Sequence, residues 1–349
     1  MSQARAPAGR CRSRSPRPCR LTKGSLALSG TAGANGCDIA RLVLTLDDST
    51  LTGRGNLPKY DPKRAKWELS LDRLDCDAYF PPGSGATSED RHKPLDLKWL
   101  RELSLDARLK VGWFKKGNVT FDMSTMTLNA RDGNYTYRQE SPRFYGGRFF
   151  SEVRGDVREG VLRSAVELKL EGFECARFLK EWAEGDTLAS GGATFILAAR
   201  TSGASEAELR GNLAGNARLQ ITRGELKVKD SGSQKQGEAQ SGERIPFDVF
   251  SSSWVSREGV AHTDDFFIDS PRMQVHGKGF VDLRNETINL SVLAALPGDR
   301  EAPATIIGPL ENPKLTVDRG KLVGDFMYRL IQGIVSIPGK ALTHILLIR

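Results

Sequence analysis

Leu105–Leu128 reads LDARLKVGWFKKGNVTFDMSTMTL. Leu105, Ala107, Leu109, Val111 and Trp113 alternate with Asp106, Arg108 and Lys110. The alternation resumes at Val119, Phe121 and Met123, and again at Met126, Leu128 and Ala130. A two-residue period belongs to a strand whose successive side chains point to opposite faces, so one face is greasy and the other charged. Lys116-Gly117-Asn118, Ser124-Thr125 and Arg131-Asp132-Gly133-Asn134 interrupt the runs. These are turn residues, and Asp-Gly is the strongest hairpin signal among them. The stretch predicts consecutive antiparallel hairpins.

The same pattern extends in both directions. Upstream lie Leu42, Leu44 and Leu46, then Trp67, Leu69 and Leu71. Downstream lie Tyr135 and Tyr137, then Phe149, Ser151 and Val153, then Val166, Leu168 and Leu170. Met273, Val275 and Val281 pair with Ile288, Leu290 and Val292 around a turn at Arg284-Asn285-Glu286, and Gly277 and Gly279 fall inside a strand, where a bend or close sheet contact is expected. Helical spacing is confined to short pieces: Asp77–Phe80, Leu97–Leu103, Cys175–Glu184 and Glu206–Leu213. Trp67–Phe80 and Ala165–Leu179 share a degenerate strand-then-helix pattern that reads as a weak internal repeat.

The predicted fold class is mainly β: an extended, curved antiparallel sheet forming a groove, with a few short helices and a C-terminal amphipathic helix. Leu322, Phe326, Leu330 and Ile334 form the stripe of that last helix, the candidate contact for a membrane or a partner protein. The expected segments are a disordered Arg/Pro/Ser-rich leader (1–20), a β-groove region (21–229), a polar linker (230–243), a second β-groove segment (244–320) and the helical tail (321–349).

The chain has 349 residues and a net charge of +8, but Arg5, Arg10, Arg12, Arg14, Arg17 and Arg20 lie in the leader with no acidic residue among them, leaving about +2 for the rest. A nearly neutral body argues against a nucleic-acid partner. No apolar run approaches the ~20 residues of a transmembrane helix. The five cysteines lack C-x-x-C spacing, and Cys76 and Cys175 read as partly buried free thiols. His92, His262, His276 and His344 are the only histidines. None sits in an H-E-x-x-H or G-x-S-x-G setting. Asp264, Asp265 and Asp269 lack the spacing of a calcium loop, and HGKG lacks both a third glycine and a following helix. No enzyme, cofactor or metal site is expected.

Met273–Leu283 (MQVHGKGFVDL), Ile306–Val317 (IIGPLENPKLTV) and the RGKL that follows at Arg319–Leu322 resemble the C-terminal signature of the AsmA family of bacterial envelope proteins. LDRLDCDAYFPP, LDLKWLRELSLDARLKVG and Arg143-Phe144-Tyr145-Gly146-Gly147 precede them in family order. The resemblance implies a periplasmic groove protein of Gram-negative bacteria, inner-membrane associated in the family and related to bridge-like lipid-transfer proteins. It implies a role in outer membrane biogenesis and lipid transport, with phospholipid or another acyl lipid as ligand and outer-membrane assembly proteins as partners. The chain looks like the C-terminal part of such a protein, without the family's usual anchor. The residues expected to line the groove are Trp67, Leu69, Leu71, Leu105, Leu109, Val111, Trp113, Phe121, Leu128, Val166, Leu168, Leu170, Val275 and Leu290. Alternation alone also fits a closed β-rich scaffold that regulates outer-membrane protein assembly through its C-terminal helix.

Overall fold

A computed structural model describes residues 23–79, 90–183, 188–228, 243–271, 273–296, 300–310 and 313–317. The Arg-rich leader, nearly all of the polar segment and the stripe Leu322, Phe326, Leu330 and Ile334 lie outside the described residues. Among the described residues the chain is mainly β. It divides into two compact units: one of residues up to 90, 95–144 and 149–162, the other of residues 91–94, 145–148 and 163 onward.

The first unit contains β1 (Gly24–Gly33), β2 (Gly36–Leu46), β3 (Ser49–Pro58), β4 (Lys66–Asp75), β5 (Leu105–Lys116), β6 (Val119–Arg131) and β7 (Asn134–Phe144). Each pairs with the next, antiparallel in every case but one. The exception is β4 with β5, a parallel pair where sequence reading expected antiparallel strands throughout. The cause is the long connection between them, which holds α1 (Cys76–Tyr79), a 3-10 turn at Asp90–His92 and α2 (Lys98–Glu102). A parallel neighbour needs the chain carried back to the end where it started, and a connection of this length does that.

Turn chemistry sets the hairpins. Asp132 (φ 52°) and Gly133 (φ 79°) are both left-handed between the paired Arg131 and Asn134, the two-residue turn whose twist matches the strands. Ser124-Thr125, expected as a turn, lies instead inside β6, with Met123 at φ 54° beside it. The register with β5 and β7 is the same on either side of that residue, so the strand continues.

The second unit contains β10 (Leu188–Gly203), β11 (Ala214–Val228), β12 (Glu243–Arg257), β13 (Val260–Ser270), β14 (Met273–Asp282), β15 (Thr287–Leu296), β16 (Arg300–Pro309) and β17 (Lys314–Val317), an antiparallel meander in chain order. β8 (Gly147–Arg158) and β9 (Val161–Glu174) contribute residues to both units. β11 and β12 pair from Gly215–Ser256 to Val228–Glu243, so the polar segment connects neighbouring strands of one unit. The mid-strand glycines of β14 allow close strand approach: a Cβ on Gly279 would sit 2.1 Å from the Asn289 carbonyl oxygen.

The short helices lie against neighbouring strands. α3 (Cys175–Ala183) buries Cys175, Ala176, Phe178 and Leu179, with Phe178 stacked 5.4 Å from Trp182. α4 (Glu206–Gly211) is capped by Ser205, whose hydroxyl accepts the Glu208 backbone N–H at 3.2 Å. An ion network ties α4 to the turn before β15 and to residue 91. Arg210 bridges Glu206 at 2.7 Å and Glu286 at 2.5 Å, and Arg91 reaches Glu286 at 2.9 Å.

Candidate functional site: an open apolar sheet face

Residues directly opposite one another in a ladder share a face of the sheet, so the registers of the first unit can be read as rows running across strands. Leu26, Leu44, Leu51, Leu71 and Val111 form one row over β1–β5. Leu28, Leu42, Gly53, Leu69, Leu109 and Met126 form the next, over β1–β6. Beside them Ile39, Gly55, Trp67, Ala107, Leu128 and Tyr137 run over β2–β7. The intervening rows carry Thr52, Ser70 and Lys110, then Arg54, Glu68, Arg108 and Thr127. One face of this sheet is apolar over at least six strands and the other is polar.

Glycine thins the apolar face at β3. A Cβ on Gly55 would lie 2.3 Å from Cε3 of Trp67, and one on Gly53 would lie 2.7 Å from Cδ2 of Leu69. Side chains from β4 therefore lie flat over β3 where a β-branched residue would lift them. At the far end Phe114 and Phe121 stack at 4.5 Å, and Phe121 meets Phe144 and Phe149 at 5.1 Å each, which seats that corner firmly.

The expected groove residues divide sharply by burial. Trp67, Leu69, Leu71, Leu105, Leu109, Trp113, Phe121 and Leu128 are all half-buried, Val111 alone of the first unit's set being closed off at 2% exposure. Exposure rises toward β1, where Leu26 and Leu28 are each 53% exposed. In the second unit Val166, Leu168, Leu170, Val275 and Leu290 are all buried, Val275 and Leu290 completely. Val275 stands opposite Ile268, itself fully buried, and none of the five offers an open surface. Among the described residues, the expected groove positions that solvent still reaches all lie in the first unit.

Polar groups interrupt that face at β6 and β7. The hydroxyls of Ser124 and Ser141, both buried, hydrogen-bond to each other. Tyr137 donates its hydroxyl to Gln139 Oε1 at 2.9 Å, and burial pushes its pKa up to about 12. Gln139 stands opposite Met126, is 7% exposed, and its Nε2 has no hydrogen-bond partner. An orphaned buried donor costs about 1–3 kcal/mol, so this amide is a local weak point of the packing between β6 and β7.

Sequence reading missed Leu26, Leu28, Leu51, Gly53, Gly55 and Gln139. Their signal was weak for physical reasons: the glycines break the apolar period, and the Ser-Leu-Ala-Leu-Ser of β1 has too few large residues to stand out. A shallow concavity of about 580 Å³ also lies over β1–β6, lined by Arg54, Lys66 and Arg108 and by Asp38, Glu68 and Asp106. Its cations and anions balance, and Arg54 already pairs with Glu68 at 2.6 Å, so it selects no charged ligand.

Cys175 is fully buried and its thiol is pushed up to about 12 by burial, which leaves it protonated and unreactive at neutral pH. Among the described residues no group of His, Cys, Asp or Glu side chains is placed to hold a metal ion. No helix among them is long and apolar enough to cross a membrane. No protein-family model, curated protein or solved structure matches the chain.

Proposed function

We propose that this chain is a non-catalytic, AsmA-like envelope protein that holds or conducts phospholipid along the apolar face of its first unit. The observation that carries this reading is the set of cross-strand rows from Leu26 to Val111 and from Leu28 to Met126, reached by solvent everywhere but at Val111 and backed by a polar opposite face. The first row crosses four inter-strand gaps, about 19 Å at ~4.8 Å each. That exceeds the ~15 Å of one leaflet's acyl region, half of a bilayer's hydrocarbon core. Each methylene removed from water contributes about 0.8 kcal/mol, so an acyl chain needs no polar site to be held. In this reading the lipid-contact set is Trp67, Leu69, Leu71, Leu105, Leu109, Trp113, Phe121 and Leu128, while Val166, Leu168, Leu170, Val275 and Leu290 serve packing. Transfer between inner and outer membranes from a periplasmic position completes the proposal.

Native mass spectrometry of the purified chain, with lipid extraction in parallel, tests it. Phospholipid bound at a fixed ratio and lost on substituting Leu69 and Leu109 by Asp is expected. A preparation that carries no lipid and takes none up from vesicles counts decisively against the reading.

A further inference from the structure

β1 is the one long strand of the first unit that is exposed along its whole length, 10 residues from Gly24 to Gly33, with pairing to β2 along one edge. Natural sheets protect such edges with lysine, proline, inward charges or shortness, because unpaired N–H and C=O groups template another strand. GSLALSGTAG has no charged residue and no proline. Its irregularity against β2 falls only at Ser29/Gly30, leaving Gly24–Ser29 in unbroken register.

The sequence of that edge is also self-complementary. From Gly24 to Gly30 it reads Gly-Ser-Leu-Ala-Leu-Ser-Gly, the same in both directions. In an antiparallel ladder with a two-fold axis at Ala27, Gly24 of one copy stands opposite Gly30 of the other, Ser25 opposite Ser29 and Leu26 opposite Leu28. Every pair is like with like: leucines meet leucines on one face, and serines meet serines with the alanines at the axis on the other. Aliphatic and hydroxyl pairs of this kind are favourable, and no like charges are brought together. A closed two-fold contact uses the same patch on both subunits, which a palindromic edge satisfies by itself.

From this we infer that β1 is a homodimerisation edge, its partner a second copy of this chain paired antiparallel about Ala27. Leu26 and Leu28 belong to the apolar rows of β2–β5, so the pairing joins the faces of two copies on one side of a common sheet. The inference stands on the edge and its sequence, independently of whether lipid is the ligand.

Sedimentation velocity of the full chain tests it, with a mass twice the 38.3 kDa of one copy expected. Ala27→Lys and Ala27→Glu each place two like charges across the axis on the solvent side, so each variant alone sediments as monomer. Mixing the two restores the dimer, and unchanged circular dichroism shows that each folds. Ala27→Cys forms an intermolecular disulfide, whereas a cysteine at Thr31, beyond the palindrome, does not. A monomer at every concentration, as would result if another segment of the chain occupies the edge, overturns the inference. So does a dimer indifferent to charge at position 27, or an open series of larger assemblies.

Discussion

Leu69 on β4 and Leu109 on β5 stand directly opposite one another across the parallel ladder, and both remain half-buried. The pair marks the middle of the open face, where lost packing and lost ligand contact can be separated. Leu69→Asp or Leu109→Asp places a carboxylate where apolar surface already meets water. The expected cost to folding is about 1 kcal/mol or less, the usual range at solvent-reached positions. Bound lipid per chain falls severalfold, because a carboxylate against acyl chain must be desolvated. Urea denaturation measures the first quantity and quantitative lipid extraction the second. Equal lipid content in wild type and variant, at unchanged stability, removes the open face as the binding surface.

Gly55 tests how the face is shaped. Its missing side chain lets the Trp67 indole lie over β3, with ring carbons 2.3 and 2.6 Å from where a Cβ would be. Gly55→Ala forces the indole to lift or the strands to part. Overpacking of this sort costs about 1–3 kcal/mol. Tryptophan fluorescence reports it, the emission shifting to longer wavelength as Trp67 gains exposure, together with a lower urea midpoint. An unchanged spectrum and midpoint would mean that the indole is not seated as described.

Phe144 is 1% exposed and lies 5.1 Å from Phe121 and 5.4 Å from Phe149, ring to ring. Phe144→Ala leaves a cavity that neighbouring rings cannot fill. The expected loss is about 3–5 kcal/mol, read from chemical denaturation. Phe121→Ala, at a half-buried position in the same cluster, costs less. The reverse order would place the anchor of this corner elsewhere.

Much of the fold is legible in the alternation of residues such as Leu105 to Trp113, because a half-buried strand leaves a period-two trace. Asp132-Gly133 is legible for a different reason: only certain residues accept two successive left-handed conformations. The parallel pairing of β4 with β5 left no such trace, since a ladder's direction depends on where the connection delivers the chain. The split between half-buried Leu109 and fully buried Leu290 was equally hidden. Both sit in the same alternating pattern, and burial depends on what packs above the face rather than on the strand's own sequence. Gln139 reads as an ordinary polar strand residue until its register opposite Met126 places it on the apolar side.

Cys175 gives a test of the second unit through its thiol. Burial raises its pKa from the ordinary value of 9.0 to about 12, so the folded state favours the protonated form. A group raised in this way supports folding below its unfolded pKa, and that support is lost as pH rises from about 9 toward 12. At neutral pH a thiol reagent should label the half-buried Cys37 and Cys76 before Cys175, which reacts only as the protein unfolds. Cys175→Ala should flatten the loss of stability above pH 9. Labelling of Cys175 at the rate of Cys76 under native conditions would contradict its buried placement.

Asp282 gives the acid counterpart. Burial disfavours its charge, yet five hydrogen bonds converge on the carboxylate. Arg284 Nε and Nη2 donate at 3.1 and 3.0 Å, Asn285 Nδ2 at 2.9 Å, and the backbone N–H groups of Arg284 and Asn285 at 2.9 and 3.3 Å. The donors prevail and the pKa falls from 3.8 to about 2. Because the folded value lies below the unfolded one, the charged carboxylate supports the fold above pH 4, and that support disappears as pH falls from about 4 to about 2. The turn it holds leads from β14 into β15 and carries Glu286, whose own pKa is lowered because hydrogen bonds from Arg91 and Arg210 outweigh its burial. Both acids therefore weaken the same turn on protonation. Asp282→Asn keeps the side chain's shape but places an amide nitrogen against the donors, so it should lower stability at pH 7 and shrink the difference between pH 4 and pH 2. Thermal melts of both proteins at pH 7, 4 and 2 decide it: parallel acid profiles, offset by a constant amount, would show that the carboxylate does not titrate in this window.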